Sequence, residues 1–587
     1  MIKTHEAQPP ASLLSLVRGD ASTEDDTSQK GKGWSALGEP AKLIKTEDME
    51  FRDYQSKIIA SIFSGKNTLV IVPTGKGKTV MEIFSAAKAI SEGKKALFVA
   101  STRPLVEQHY NESANAFRDN GRIAILTGET RRKDRDGLSS KADIIIATPE
   151  TVLNEAKKGN LKLDVFGMLI IDECQRTRGE YAYTHLARMF RRKDTQIVAF
   201  TGSLSSRTAV ADSIIEALGI ENIQVREKSD SDIMHYMMPV NVRKIVVEKS
   251  ETMLAVEKRF QGMMNVYFES MRKVGLVGED KGFEEMPRAE FMKIRSAANM
   301  LMGKVYNREL EWDRRDDAIA GVKSFYKLMY MSHAYDLLET QGFGPTLDYL
   351  KQLKGKKGKS KSLSELLENS SNLKEAARIL ERALDSGEEH PKLGVLVDSI
   401  KANGKDKVMV FVHYRPTVKM IVRKLRENGI ESMPFMGKKE GITDKQQRQT
   451  LEDYSKSKFK VLVSTLIGEE GIDIKAEPSL VICYDTVPSA IRNVQRKGRT
   501  GRNMPGNAII LVTKGTKDEA YYNISAWREY SMERITKKLR HYSAPAATTE
   551  PARTGKTETA NAVQQSKPAK QLDLFDFRRL ETFEYPD

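Results

Sequence analysis

Between residues 66 and 203, six short apolar runs recur: "NTLVIVP", "KALFVAS", "RIAILTG", "DIIIATP", "MLIIDE" and "QIVAFTGS". Each has the length of a strand, about four to eight residues, and is apolar on both faces. Each also ends in Gly, Pro or polar residues. Longer amphipathic segments separate them, so the pattern predicts a parallel sheet covered by helices on both faces. From about residue 226 to 390 the apolar positions fall at helical spacing instead, as in "MLAVEKRFQGMMNVYFESM", "KSFYKLMYMSHAYDLLETQ" and "SLSELLENSSNLKEAARILERAL". That region shows no convincing strand and reads as a helical insertion. A second alternating series then follows, "VMVFVHY", "KVLVSTL", "LVICYD" and "NAIILVT".

The expected organisation is therefore an N-terminal segment over 1–42, an α/β unit over 43–225, a helical insertion over 226–390, a second α/β unit over 391–545 and a tail over 546–587. The two ends are rich in small, polar and charged residues and are expected to be disordered. "KGKKGKSK" at 354–361 is too basic and Gly-rich to pack, so it is expected to be a mobile loop, serving as a solvated linker or as a phosphate contact.

Composition narrows the partner class. The net charge of +15 over 587 residues favours a polyanion, although a basic ribosome-associated or membrane-surface protein has the same balance. Two cysteines, Cys174 and Cys483, leave no disulfide framework and suit a reducing interior. No apolar run approaches the length of a membrane span or a signal-peptide core, which leads to the expectation of a soluble, cytoplasmic, nucleoid-associated protein with no membrane partner.

Candidate chemistry sits at the run ends. In "VIVPTGKGKTV" a strand enters Gly75, Gly77, Lys78 and Thr79 and then a helix. Glycines let backbone N–H groups close around phosphates, Lys78 reaches the β and γ phosphates of ATP, and Thr79 can ligate Mg²⁺. Val72 replaces the first glycine of the general pattern. "LIIDECQ" supplies Asp172 as a second metal-side residue and Glu173 to orient or deprotonate water. In "IRNVQRKGRTGR", Arg499 and Arg502 recur at a spacing that can present both guanidinium groups to one phosphate.

The ordered set "RDYQ" (52–55), "PTGKGKT", "STRPLVEQH", "ATPET", "DECQ", "TGS" (201–203), "FVHYR", "STLIGEEGIDI" and "QRKGRTGR" resembles a superfamily 2 helicase. "HAYDLLETQGF", "HPKL", "MGKKEGITDKQQ", "YDTVPSAIRNVQRKGRTGR" and "LVTKGTKDEAYY" narrow the resemblance to the archaeal Hef helicases and their FANCM relatives. The resemblance implies two RecA-like motor domains with an inserted helical thumb. It implies ATP and Mg²⁺ as cofactors, and activity as an ATP-dependent helicase or translocase on branched DNA in replication-fork repair or restart. By the same resemblance Arg52, Gln55, Thr74, Gly75, Lys76, Gly77, Lys78, Thr79, Gly471 and Asp473 bind nucleotide, with Gln55 reading adenine. Gln175, Thr201, Ser203 and Gln495 couple ATP state to strand grip, and Thr102, Arg103, Thr148 and Thr465 contact backbone phosphates.

Hef proteins often continue into an XPF-type nuclease, whereas only a polar tail follows here, so a separate nuclease is an expected partner. Within the tail, Gln571, Leu574 and Phe577 have the spacing of a peptide that binds the sliding clamp PCNA, with Arg578 in place of the second aromatic. Two other readings stay open. One is an RNA-duplex-stimulated ATPase of the RIG-I and Dicer type. The other is a non-catalytic scaffold holding branched DNA.

Overall fold

The computed structural model describes residues 32–542 except 120–121, 132–134, 136, 192–193, 279–287, 356–360, 438–441, 469–473 and 475. Gly471, Asp473 and the clamp-type residues Gln571, Leu574 and Phe577 lie outside the described residues, as does most of "KGKKGKSK". Its Lys354 and Gly355 close one helix and its Lys361 opens the next.

All six apolar runs of the first series form strands: β1 (Thr68–Ile71), β2 (Lys95–Val99), β3 (Ile123–Leu126), β4 (Ile144–Ala147), β5 (Phe166–Ile171) and β6 (Gln196–Thr201). β7 (Asn222–Val225), from the unremarkable "NIQV", completes a seven-stranded sheet ordered β3-β4-β2-β5-β6-β1-β7. The pairs β3–β4, β4–β2, β2–β5 and β5–β6 are parallel. β1 and β4 are buried along their whole length, as strands covered on both faces must be.

Order begins earlier than expected at the N-terminus. Residues 32–42, read from composition as part of a disordered segment, form a 3-10 turn, Lys32–Leu37, and a short helix, Glu39–Lys42. The cause is one side chain: Trp34 is fully buried, with its ring 5.0 Å from both Phe51 and Phe84. A single buried tryptophan carries no periodicity, so composition could not reveal it.

The second sheet is ordered β10-β11-β9-β12-β13-β8 and is parallel throughout. Its strands are β8 (Val240–Val247), β9 (Val408–Phe411), β10 (Ser432–Phe435), β11 (Val461–Ser464), β12 (Leu480–Cys483) and β13 (Gly506–Thr513). β8 corrects the reading of 226–390 as all helical. All eight of its residues pair with β13, from Val240 beside Gly506 to Val247 beside Thr513. As an edge strand it is largely exposed, so its sequence lacks the double-sided apolar run that marks an interior strand.

The helical part of the insertion is therefore Glu251–Asp385. Phe260, Met264 and Phe268 of one helix pack there with Phe325, Leu328 and Met331 of another in a single buried cluster. Chain contacts define two compact units rather than the three folded domains expected. The first holds the described residues up to Val70 with Gly77–Phe200 and Ala217–Gln224; the second holds the rest, including both the insertion and the second sheet.

Buried polar bonds explain that union. Lys392, fully buried, donates to the Thr340 carbonyl at the end of the insertion's helix Trp312–Thr340 (2.7 Å), to the Tyr484 carbonyl after β12 (2.9 Å) and to Asp518 Oδ2 (2.7 Å). Gln341 Nε2 donates to Asp485 Oδ2 at 3.1 Å and Thr417 Oγ1 donates to Gln341 Oε1 at 2.9 Å. Buried groups of this kind must be satisfied, so they fix where the insertion joins the second sheet.

Candidate nucleotide site

The loop after β1 has the conformation its glycines suggest. Gly75 and Gly77 both adopt positive φ, +75° and +71°. A Cβ at Gly77 would lie 2.2 Å from Gln55 Nε2, so only glycine fits beneath that side chain. Gln55 is itself buried and donates to the Gly77 carbonyl at 3.1 Å, fastening the helix Asp53–Ile62 to the phosphate loop. Arg52, at the start of that helix, pairs with Glu50 at 2.7 Å. Thr74 and Lys76 belong to the loop itself, while Lys78 and Thr79 open the helix Lys78–Ser91. That helix end presents N–H groups and the positive end of its dipole to an anion.

Opposite, β5 ends at Ile171 and delivers Asp172 and Glu173. Glu173 has φ +52°, a left-handed conformation uncommon for a residue other than glycine, and its N–H donates to Asp172 Oδ1 at 2.8 Å. The turn aims the two carboxylates differently. Glu173 Oε1 lies 3.8 Å from Lys78 Nζ, and the Gln175 amide donates to Glu173 Oε2. Gln175 therefore touches the carboxylate assigned to water activation directly.

Two residues that motif reading passed over complete the cluster. His109, the last letter of "STRPLVEQH", is buried with Nε2 3.2 Å from Asp172 Oδ2, Nδ1 3.6 Å from Glu82 Oε2 and Nδ1 3.8 Å from Glu112. Glu82, one turn along from Lys78, is 1% exposed. Burial works against charge on His109, but the Asp172 hydrogen bond and the Glu82, Asp172 and Glu112 carboxylates outweigh it and raise its pKa to about 9. Burial, with the Asp172 charge beside it, raises Glu82. Burial also opposes the Asp172 carboxylate, yet the His109 hydrogen bond and the Lys78 charge hold it below its ordinary range. Lys78, despite its burial, is held above its ordinary value by Glu173 and Asp172. The only sequence signal for this arrangement was a histidine inside an otherwise apolar helix face.

These contacts fit a nucleotide carrying a divalent cation. Among the described residues no group of three or more His, Cys, Asp or Glu side chains could hold a metal ion by itself. The donor set is one buried carboxylate, Asp172, and one hydroxyl, Thr79, which suits a hard cation that keeps phosphate oxygens and waters as its other ligands.

The remaining candidates are distributed. Thr102 and Thr148 occupy the N-cap positions of the helices Arg103–Ala116 and Pro149–Lys157, just after the neighbouring strands β2 and β4, and neither side chain caps its helix. Arg103 pairs with Glu107 at 2.9 Å and with Glu129. Thr148 Oγ1 lies 2.8 Å from Thr151 Oγ1. Thr201 ends β6, and its hydroxyl donates to the Ser203 carbonyl at 2.7 Å and accepts from the Ser203 N–H at 3.0 Å.

In the second unit, Thr465 is buried after β11 and its N–H donates to the Phe435 carbonyl at 3.1 Å. Gln495 lies on the helix Ala490–Lys497 and Arg499 is buried just beyond it. Arg502 donates through Nε to the Gly498 carbonyl at 3.1 Å, and Glu477 accepts from the N–H groups of Arg502 and Asn503. Arg496, in the same motif, has a different role. It is fully buried, donates to the Asp485 carbonyl at 2.9 Å and lies 3.4 Å from Asp485 Oδ1, a structural arginine anchoring the helix that leads to Arg499.

Two family domains cover these sites. The DEAD/DEAH box helicase domain matches residues 52–211 and the helicase conserved C-terminal domain matches residues 391–504. The crystal structure of the Pyrococcus furiosus Hef helicase domain matches at 33% identity with a TM-score of 0.61, covering 81% of this chain and 98% of that one. The chain belongs to the superfamily 2 helicases of the Hef type.

Other members of this helicase superfamily agree. A Methanocaldococcus jannaschii protein named as an ATP-dependent RNA helicase is 33% identical over 507 residues, 85% of this chain and 62% of the relative. The ATP-dependent DNA helicase mph1 of Neurospora crassa is 29% identical over 509 residues, 82% of this chain and 43% of the relative. The Hef-type chain thus spans less than two thirds of these curated relatives. No helix among the described residues is long and apolar enough to cross a membrane.

Proposed function

We propose that the chain is an ATP-driven DNA helicase or translocase acting on branched DNA such as forks and junctions, in replication-fork repair or restart. The observation that supports the catalytic half is the contact set Lys78–Glu173–Gln175 beside Asp172–His109, which gathers the expected phosphate-side lysine and both expected carboxylates. The likeness to the Hef helicase domain and to Mph1 supports DNA as the polymer.

The backbone N–H groups of the glycine loop and Lys78 bind the phosphates. Asp172 and Thr79 would hold Mg²⁺, which when bound neutralises phosphate charge. Glu173, held by Gln175 beside Lys78, accepts a proton from the attacking water. Arg499 and Arg502 are assigned to the γ-phosphate as its charge develops. Thr102, Arg103, Thr148 and Thr465 take backbone phosphates, with Thr102 and Thr148 opening helix N-termini toward them. Gln495 and the Thr201–Ser203 pair are assigned to coupling.

The RNA reading is favoured by the name of the Methanocaldococcus relative. ATP hydrolysis and unwinding on a panel of forks, four-way junctions, plain DNA duplex, RNA duplex and single strands separate the readings. Strongest stimulation by branched DNA is expected; stimulation by duplex RNA above all DNA forms would reverse the assignment. Negligible turnover with tight, ATP-independent junction binding would leave a scaffold. Clamp binding through Gln571, Leu574 and Phe577, and a separate XPF-type nuclease partner, are part of the same proposal.

A further inference from the structure

The helix Lys517–Leu539 carries a solvent-facing stripe that neither the nucleotide chemistry nor the packing of the second unit uses. Ile524, Trp527 and Tyr530 are 40%, 66% and 61% exposed. Spaced by three, they share one face, about a turn apart. The face continues into exposed Arg534, Lys537 and Lys538, while Ser525, Met532 and Leu539 are buried.

Three of the helix's four acidic side chains are buried or already engaged. Asp518 is buried, Glu519 accepts from the Gly515 N–H, and Glu529 pairs with Lys497 at 2.6 Å. Glu533 is exposed at the edge of the stripe, about a turn from both Tyr530 and Lys537. Neighbouring cations are occupied: Arg528 donates to the Pro488 carbonyl at 2.6 Å and Arg540 pairs with Asp230 at 2.7 Å. Arg534, Lys537 and Lys538 enter no ion pair among the described residues.

Stabilisation of the helix dipole accounts for cations in the last turn, but not for aromatics two turns before them. Two exposed aromatic rings followed by unpaired cations fit a nucleic-acid strand, whose bases stack on the rings while its phosphates meet the cations. At about 1.5 Å per residue the stripe from Ile524 to Lys538 runs about 21 Å, long enough to take several nucleotides.

We propose that this stripe is a second nucleic-acid contact, which takes the unpaired or displaced strand of a branched substrate. The proposal rests on the DNA reading above: a branched substrate offers several arms, and the strand-end threonines account for only one. The competing class of partner is an acidic, aromatic peptide, and the chain's own sequence at 572–577, "LDLFDF", is one such peptide.

The test uses the full chain as wild type, as Trp527→Ala with Tyr530→Ala, and as Arg534→Glu with Lys538→Glu. Binding is read by anisotropy of a labelled fork, a labelled oligo-dT and a blunt duplex, alongside DNA-free ATP hydrolysis. The aromatic pair should weaken fork and oligo-dT binding by about tenfold or more, leaving blunt-duplex binding and DNA-free hydrolysis unchanged. The charge reversal should weaken fork binding and flatten its salt dependence, and it carries the test if the aromatic pair fails to fold. Wild-type affinity of both variants for fork and oligo-dT overturns the proposal. So does loss of binding only to a synthetic peptide of residues 568–587, which would give the stripe to a peptide. A wild-type chain that fails to bind forks overturns the DNA reading instead.

Discussion

His109 and Asp172 meet through a 3.2 Å contact buried behind the phosphate loop, and the same imidazole faces Glu82 at 3.6 Å. One cation thus stands between two carboxylates, and one of those belongs to the proposed metal-side pair. Removing it takes a hydrogen bond and a positive charge away from Asp172 where solvent cannot make up the loss.

His109→Gln is therefore expected to weaken Mg²⁺-dependent ADP binding and ATP hydrolysis by about 10- to 100-fold, the usual cost of losing an orienting partner. Adding Glu82→Gln should change little further, because burial already keeps Glu82 largely protonated near neutral pH. Calorimetry of ADP binding at varied Mg²⁺ reads the effect, and wild-type affinity in His109→Gln would contradict it.

Glu173 is held by Gln175 and Lys78 in a left-handed turn. Glu173→Gln should retain ATP binding while lowering hydrolysis by at least about a hundredfold, and Lys78→Ala should abolish DNA-stimulated hydrolysis. Gln175→Ala should lower hydrolysis by a smaller factor and lower unwinding per ATP as well. A stopped assay of phosphate release, run beside strand separation, measures both. Equal loss of basal and DNA-stimulated hydrolysis with unchanged unwinding per ATP would remove Gln175 from coupling.

Asp485 accepts from Gln341, just after the insertion's helix Trp312–Thr340, and contacts Arg496 of the arginine-bearing helix. Gln341→Leu removes that contact and the Thr417 bond but leaves Asp485 on Arg496, so the chain should fold and keep basal hydrolysis while losing part of its stimulation by branched DNA. Asp485→Ala strands the buried Arg496 guanidinium and should cost about 3–5 kcal/mol in stability. Thermal melting separates the two variants, and undiminished stimulation in Gln341→Leu would mean that the insertion communicates by another route.

His390 offers a pH test away from the nucleotide. Its Nε2–H donates to the Glu339 carbonyl at 3.0 Å and its Nδ1 accepts from the Lys392 N–H at 3.2 Å, so the ring must be neutral to cap its helix. Burial, with the Lys392 charge nearby, lowers its pKa to about 3, and the hydrogen bond to the Glu339 carbonyl does not reverse this. The unfolded chain takes up a proton below about pH 6.5 that the folded chain refuses. This group's stability is thus present above about pH 6.5 and lost as pH falls toward 3. His390→Asn, which can cap without titrating, should flatten the fall in melting midpoint between about pH 6.5 and 4. An unchanged acid slope would exclude His390 as its source.

Deleting residues 1–42 removes Trp34 and should destabilise the first unit by several kcal/mol, comparable to Trp34→Ala at about 3–5 kcal/mol. Composition alone predicts no effect. Melting curves of the truncated and substituted chains decide between them.

Six of the seven strands of the first sheet, the phosphate loop and the Asp172–Glu173 pair could be read from the chain because each is encoded within a few consecutive residues. A fully buried parallel strand needs a continuous apolar run, and a phosphate-binding turn needs glycine at fixed steps. Four features could not be read this way, since each depends on residues distant in sequence. Trp34 closes on Phe84, β8 joins β13 across the whole insertion, His109 bridges Glu82 and Asp172, and Gln341 reaches Asp485. Burial and charge pairing are properties of the assembled neighbourhood. The sequence by itself determined which residues could do nucleotide chemistry; only the tertiary structure decided which neighbours hold them in place, because the low dielectric that makes those contacts matter exists only once the chain has packed.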